Sequence, residues 1–386
     1  MRTDRNVDMN TDRSIERLCV EVPLAPHAYD IVCGTGAFEL LPSLLVEHDI
    51  TGRVIVCSDD TVAPLHATRL VEALRSAGVE ALLWTMPAGE RHKTLETVAG
   101  LYGCLAEHRV ERRDTVLACG GGVVGDLCGF AAATYLRGLR LVQAPTTLVA
   151  QVDSTVGGKV GVDLPAGKNL VGAFHQPSLV VADPTLLATL PPREWSAGLA
   201  EVVKHGIIGG GDVLDMLEGD RDRIMAREPE VVARLVARAV RVKIDVVRQD
   251  PLETGLRRVL NYGHTLGHAV ERVAGYGVVL HGEAVAWGMA AAARIGAAIG
   301  TCDGAFVDWQ DDLLRGYGLL RPLPPLDVDE LLAATRVDKK SVAGRIHWAL
   351  PRRAGEVVIT SDVPEEAVRA AALWLTQPTT GERGNV

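Results

Sequence analysis

The sequence predicts two domains: an N-terminal α/β domain with parallel strands, then a mostly α-helical domain. Three observations carry this. Short apolar runs alternate with helical patterns up to about residue 190. Beyond that point the strand signals nearly stop. The chain, with 386 residues of which 47% are hydrophobic, is long enough to bury two cores.

Taken in order, RVIVCSDD (53–60) reads as a buried strand and APLHATRLVEALRSAG (63–78) as an amphipathic helix. DTVLACGGG (114–122) is a strand and a turn, followed by helical GDLCGFAAATYLRG. LRLVQAPTT (139–147) and SLVVADP (178–184) are further strands, and strands separated by helices imply parallel pairing. In the second half, PPREWSAGLAEVVKHGII, PEVVARLVARAVRVKIDVVRQD and GEAVAWGMAAAARIGAAIG have helical period, and RIHWALPRRAGEVVI (345–359) reads as a short strand pair. The expected division is an unstructured start over 1–17, an α/β domain over 18–190, a helical domain over 191–375 and an unstructured tail over 376–386. An active site is expected in the cleft between the domains.

The net charge of -9 argues against non-specific nucleic-acid binding, so an anionic ligand must meet a local basic cluster. Seven scattered cysteines with no C-x-x-C read as reduced core residues of a cytoplasmic protein. The start, MRTDRNVDMNTDRSIER, has no apolar core and does not read as a secretory signal, and no apolar run has the length of a membrane span.

Gly120, Gly122 and Gly125 form G-x-G-x-x-G between a strand and a helix, where backbone can approach a pyrophosphate. The acidic ribose partner usual about 20 residues later is missing, so a strand–helix turn without ligand stays open. QVDSTVGGKVGVDLPAGKNLVGAF (151–174) reads as a glycine-rich loop presenting Lys159, Lys168 and Asn169 to an anion, or as a solvated loop. In the helix around 231–248, Val232, Val236, Ala239, Lys243 and Val246 share one stripe, so Lys243 must snorkel or meet an anion. Glu201 and Lys204, read alone, are an exposed i,i+3 pair worth little.

LNYGHTLGHAVE (260–271) puts His264 and His268 on one helix face, with Glu271 three residues on. It lacks the glutamate of H-E-x-x-H, which argues against a metalloprotease. With His281 of LHGEAV, the histidines suit either a catalytic metal site or ordinary helix surfaces.

Together these stretches resemble the 3-dehydroquinate synthase family of sugar-phosphate cyclases. The matching segments are GGGVVGDLCGFAAATYLRG, PTTLVAQVDSTVGGK, GKNLVGAF, LPPREWSAGLAEVVKHGII, GLRRVLNYGHTLGHAVE, LHGEAV and DKK, in family order and across most of residues 50–350. The resemblance implies a Rossmann-like NAD-binding α/β domain, a helical metal-binding domain and a homodimer. It implies NAD and a divalent metal, Zn2+ or Co2+, as cofactors. Metal ligands would be Glu201, His264 and His281, with His268 an acid/base or orienting group. NAD contacts would include Asp59, Glu90, Lys93, Gly121, Gly122, Asp126, Thr146, Thr147, Thr189 and Glu194. Asp153, Lys159 and Lys168 would serve both cofactor and substrate. The anionic sugar-phosphate pocket would add Arg137, Asn169, Lys204, Lys243, Glu253, Arg257, Asn261 and Lys340, favoured over Lys339. Arg137 would reach across the dimer.

The implied reaction, in the shikimate pathway to aromatic amino acids, turns 3-deoxy-D-arabino-heptulosonate 7-phosphate into 3-dehydroquinate and phosphate. It runs through transient oxidation, β-elimination, reduction and aldol closure. Thr61, Val160, Asp163 and Leu186 depart from the family's commonest residues; Thr61 and Leu186 would touch the NAD pocket, and Asp163 adds negative charge near the basic loop. Lys243 and Arg257 suit a substrate carboxylate, which favours dehydroquinate or its amino analogue over the neutral sugar phosphates used by relatives. A metal-dependent alcohol dehydrogenase and a non-catalytic homologue are the remaining readings.

Overall fold

Strands β1 (Ile15–Val20), β2 (Tyr29–Gly34), β3 (Val54–Asp59), β4 (Ala81–Met86), β5 (Thr115–Gly120) and β6 (Arg140–Pro145) come first in the chain. The antiparallel hairpin β7 (Lys159–Leu164) and β8 (Gly167–Phe174) follows, then β9 (Leu179–Ala182). The computed structural model describes residues 15–21, 28–337, 341–342 and 345–377. Among these, seven strands form one sheet in the order β1-β2-β9-β6-β5-β3-β4, parallel throughout except for β1 against β2.

Helices cover both faces, so central strands are buried on both sides. Along β3 and β5 the side chains alternate. Val54, Val56, Leu117 and Cys119 join one core with Leu41 and Leu45 of α1 (Leu41–Glu47) and Leu70 and Leu74 of α2 (Thr68–Ser76). Ile55, Cys57, Val116 and Ala118 join the other, with Leu101 and Leu105 of α3 (Leu95–Glu107) and Leu127 and Phe130 of α4 (Gly122–Thr134).

Two expectations change here. The start was expected to be unstructured to residue 17, but Ile15, Glu16 and Arg17 pair with Gly34, Cys33 and Val32. Leu18 and Val20, at 3% and 0% exposure, anchor that strand in the core. Residues 151–174 were expected to be a loop, but most of them form the β7–β8 hairpin. Its glycines face one another across the pair: a Cβ on Gly172 would stand 2.4 Å from the Val160 carbonyl oxygen.

Downstream lie α5 (Pro192–Gly209), α6 (Gly211–Gly219), α7 (Arg221–Met225), α8 (Pro229–Gln249), α9 (His264–Ala274), α10 (His281–Ala298), α11 (Gly304–Gly316), α12 (Val328–Val337) and α13 (Glu365–Thr376). The expected strand pair is present as Trp348–Arg353 against Glu356–Thr360. The chain divides into two compact units, and the division is not contiguous. Residues up to Pro191 group with Arg227–Leu252, and Pro192–Ala226 groups with Glu253 onward. Helix α8 therefore belongs with the sheet, where its apolar stripe packs on β1, β2 and the turns at Ala150–Ser154 and Pro184–Thr189. The expected boundary near 190 had assigned it to the helical domain.

Candidate functional site

In the second unit, helix α9 opens after Gly263, whose left-handed backbone (φ 79°) turns the chain into the helix. His264, His268 and Glu271 then follow at i, i+4 and i+7 on one face. His281 is the first residue of α10, and Glu201 sits midway along α5. Two glycines let these helices meet backbone to backbone. A Cβ on Gly288 would lie 1.8 Å from the Gly263 carbonyl oxygen, and one on Gly282 would lie 1.8 Å from that of Ala197. Gly282→Ala is thus expected to push α10 off α5, costing about 1–3 kcal/mol and weakening metal uptake. Urea unfolding and a Co2+ titration check this, and an unchanged variant contradicts the packing argument.

That packing brings ligand atoms of Glu201, His264 and His281 within 4.8 Å of one another. Glu201 is fully buried, and its Oε1 lies 3.4 Å from His281 Nε2 and 3.7 Å from His264 Nε2. Both rings are held by the other nitrogen. His264 Nδ1 lies 3.1 Å from the Tyr262 carbonyl oxygen, and His281 Nδ1 lies 3.2 Å from Glu271 Oε2. Each partner only accepts, so Nδ1 carries a hydrogen, and Nε2 is the nitrogen turned toward an ion, able to ligate it once any proton there has left. One carboxylate and two oriented imidazoles are a fitting donor set for Zn2+ or Co2+ with a coordination position left open. Burial opposes charge on His281, but hydrogen bonds to Glu201 and Glu271 raise its pKa to about 10. Ion uptake therefore displaces a proton.

The ring of His268 lies 5.3 Å from that of His264 and 5.9 Å from that of His281. Lys204 pairs with Glu201 Oε2, and their side chains are 1% and 0% exposed. This corrects the exposed i,i+3 reading: α5 is buried over nearly its whole length from Trp195 to Ile207, so helical periodicity alone could not distinguish its faces. Asn261 Nδ2 donates to Glu253 Oε1 at 2.8 Å, and Arg257 is buried just before it. Glu194 is exposed in the first turn of α5. Lys339 and Lys340 lie outside the described residues. Sequence reasoning gave Glu271 no role, although its i+7 spacing from His264 was visible.

In the first unit, most of the expected cofactor residues gather at the carboxyl edge of the parallel strands. Asp59 ends β3, and its Oδ1 accepts the N–H groups of Thr61 at 2.9 Å and Val62 at 2.8 Å. Gly121 and Gly122 join β5 to α4, and Thr146 and Thr147 follow β6. A Cβ on Gly121 would stand 3.0 Å from Thr147 Cγ2, so the two turns are closely apposed. The amino end of α4 presents N–H groups at the point between β3 and β5 where the strand order reverses, a common place for a phosphate-bearing ligand. Thr189 Oγ1 is hydrogen-bonded to His66 Nε2 at 2.9 Å.

Lys93 is the hub of a buried polar network beside this edge. Its Nζ donates to Asp126 Oδ2 at 2.6 Å and to Asn169 Oδ1 at 2.7 Å. Lys168 Nζ lies 3.5 Å from Glu90 Oε1. Asp163 Oδ1 accepts the Asn169 N–H at 2.7 Å and so braces a residue with left-handed backbone (φ 53°). Burial would lower the Lys93 pKa, but Asp126 and Glu90 outweigh it and raise the value. The Asp126 carboxyl also moves up, because its burial outweighs the help from Lys93. The two directions differ in meaning because each group bears its own desolvation cost, while their mutual attraction favours charge on both.

Lys243, 6% exposed in the apolar stripe of α8, donates to the carbonyl and carboxylate of Asp153. The inward lysine meets an anion rather than snorkelling. Lys159 opens β7 and Arg137 follows α4, both exposed. Of the unusual residues, Val160 and Leu186 are core, at 8% and 1% exposure, and Thr61 is exposed.

The sequence model described as 3-dehydroquinate synthase N-terminal matches residues 83–197, and that described as 3-dehydroquinate synthase C-terminal matches residues 198–341. The 3-dehydroquinate synthase of Symbiobacterium thermophilum is 48% identical, over 90% of this chain and 97% of its own length. Two solved structures are similar throughout. One is 2-deoxy-scyllo-inosose synthase complexed with carbaglucose-6-phosphate, NAD+ and Co2+ (TM-score 0.84, 28% identity, 93% of this chain and 99% of that one). The other is the 2-epi-5-epi-valiolone synthase of Streptomyces hygroscopicus with NAD+ and Zn2+ bound (TM-score 0.82, 31% identity, 92% of this chain and 98% of that one).

Proposed function

Because the chain belongs to the 3-dehydroquinate synthase family, we propose that it converts 3-deoxy-D-arabino-heptulosonate 7-phosphate to 3-dehydroquinate and phosphate. It is a phosphate-eliminating cyclase that uses NAD and a divalent metal ion. The observation that carries this reading is the buried Glu201 carboxylate facing two imidazoles, each oriented through its Nδ1.

Glu201, His264 and His281 hold the ion. Asp59, Glu90, Lys93, Gly121, Gly122, Asp126, Thr146, Thr147, Thr189 and Glu194 hold the dinucleotide. When bound, NAD would supply reversible hydride transfer, and Zn2+ or Co2+ would supply polarisation of a substrate oxygen. The protein's own work is positioning and electrostatics. Lys204 and Arg257, both buried, together with Lys243, Lys159, Lys168, Arg137 and Lys340, grip the phosphate and carboxylate. Asp153, Asn169, Glu253 and Asn261 orient the hydroxyls, and His268 holds or moves a proton beside His264.

The working form is a homodimer. In support, Arg137 is exposed on a turn where Leu136 and Arg137 have φ of 51° and 67°, and it makes no ion pair with a described residue. A cytoplasmic location is supported by the seven free cysteines. No described helix is long and apolar enough to cross a membrane.

Purified protein with NAD+ and Co2+ is expected to release phosphate from the heptulosonate phosphate with no net NADH. Net NADH would indicate a simple dehydrogenase. Release from the amino analogue alone would reassign the substrate, and no release from either would overturn the reading.

A further inference from the structure

We propose that Glu271 is a positioning residue of the metal centre, acting through His281 and not as a ligand itself. The inference rests on the metal reading above and extends it to a carboxylate that it leaves without a role. Glu271 lies two turns along α9 from His264, on the same face, and is 3% exposed. A carboxylate so buried needs a donor, and His281 Nδ1 at 3.2 Å supplies one.

The geometry separates positioning from ligation. An imidazole offers one nitrogen to an ion while the other donates to an acceptor. His281 turns Nε2 toward Glu201 Oε1 at 3.4 Å and Nδ1 toward Glu271. Ligation by Glu271 at the same ion would need it on the Nε2 side, among the Glu201 and His264 donors. His264 shows the same design with a neutral acceptor, since its Nδ1 is held by the Tyr262 carbonyl. The two rings thus reach one carboxylate oxygen from two helices, each held from behind.

His281 needs this hold more than His264 does. It stands at the first position of α10, and its side chain is 35% exposed against 10% for that of His264. Without Glu271 the ring can rotate or take the tautomer with hydrogen on Nε2, which cannot bind the ion. What matters is an acceptor at the right reach, and its charge is secondary.

Two variants separate reach from charge. Glu271→Gln keeps an acceptor oxygen at the same distance and removes the charge. Glu271→Asp keeps the charge and withdraws it by one methylene. Co2+ titration by visible absorption gives affinity and ligand field, and ion-free thermal melts confirm that each variant folds. The Asp variant is expected to bind Co2+ about 10–100-fold more weakly, while the Gln variant stays within about threefold of wild type, a gap smaller than 1 kcal/mol. Both are expected to keep the wild-type band positions at saturation. Wild-type affinity in the Asp variant, or equal losses in both, would overturn the role of Glu271. A shifted ligand field in the Gln variant would make Glu271 a ligand and also overturn it. Failure of the wild-type protein to take up Co2+ would overturn the metal reading itself, a different and distinguishable result.

Discussion

His264→Ala is expected to abolish tight Co2+ or Zn2+ uptake and to lower phosphate release by about three orders of magnitude or more, since a catalytic ion supplies several kcal/mol of transition-state stabilisation. The fold should survive. His264 lies at the first position of α9, and truncating its ring leaves the glycine contacts between α9 and α10 intact. Metal analysis of the purified variant, a thermal melt and a phosphate-release assay test the three parts separately. Full metal occupancy in the variant would remove His264 from the ligand set. Loss of folding together with loss of metal would make the ion structural instead.

Lys93→Met carries the largest expected effect on stability. Among the described residues it leaves Asp126 with no cation in hydrogen-bonding contact, at a site where the Lys93 side chain is 5% exposed and that of Asp126 20%. Breaking a buried pair from one side costs about 3–5 kcal/mol. The pH dependence has a definite sign. The folded-state pKa of Asp126 is raised already with Lys93 present, and removing the lysine raises it further. A carboxyl with a raised folded pKa favours folding below its unfolded value, about 3.9, and that contribution is lost as pH rises through the folded value. The deficit of Lys93→Met should therefore be largest near neutral pH and shrink on acidification. Denaturant unfolding across that range measures it. A deficit that grew toward low pH would mean that Asp126 is not the group left exposed to the penalty.

Much of the first unit was legible because its strands are short apolar runs bounded by turn residues. β3, β5, β6 and β9 each lie within a segment read as a strand. The β7–β8 hairpin was not, since its glycines remove the side-chain alternation by which a strand is recognised, while their close backbone approach needs a partner strand that sequence does not reveal. Asp163 illustrates the same limit. From sequence it reads only as added negative charge near the basic loop, whereas in the fold it accepts the backbone N–H of Asn169.

The sequence by itself determined the family, the helical period of α5, α8, α9 and α10, and the presence of Glu201, Lys204, Lys243, His264, His268 and His281 within them. These follow from local spacing, and local spacing is all that periodicity records. Only the tertiary structure decided that Glu201 and Lys204 are a buried pair, that α8 returns to the sheet and sets Lys243 on Asp153, and that Glu271 stands behind His281. Those outcomes depend on which faces meet: for α5, α9 and α10 the backbone contacts of Gly282 with Ala197 and of Gly288 with Gly263 govern the meeting, and for α8 the packing on β1 and β2 does.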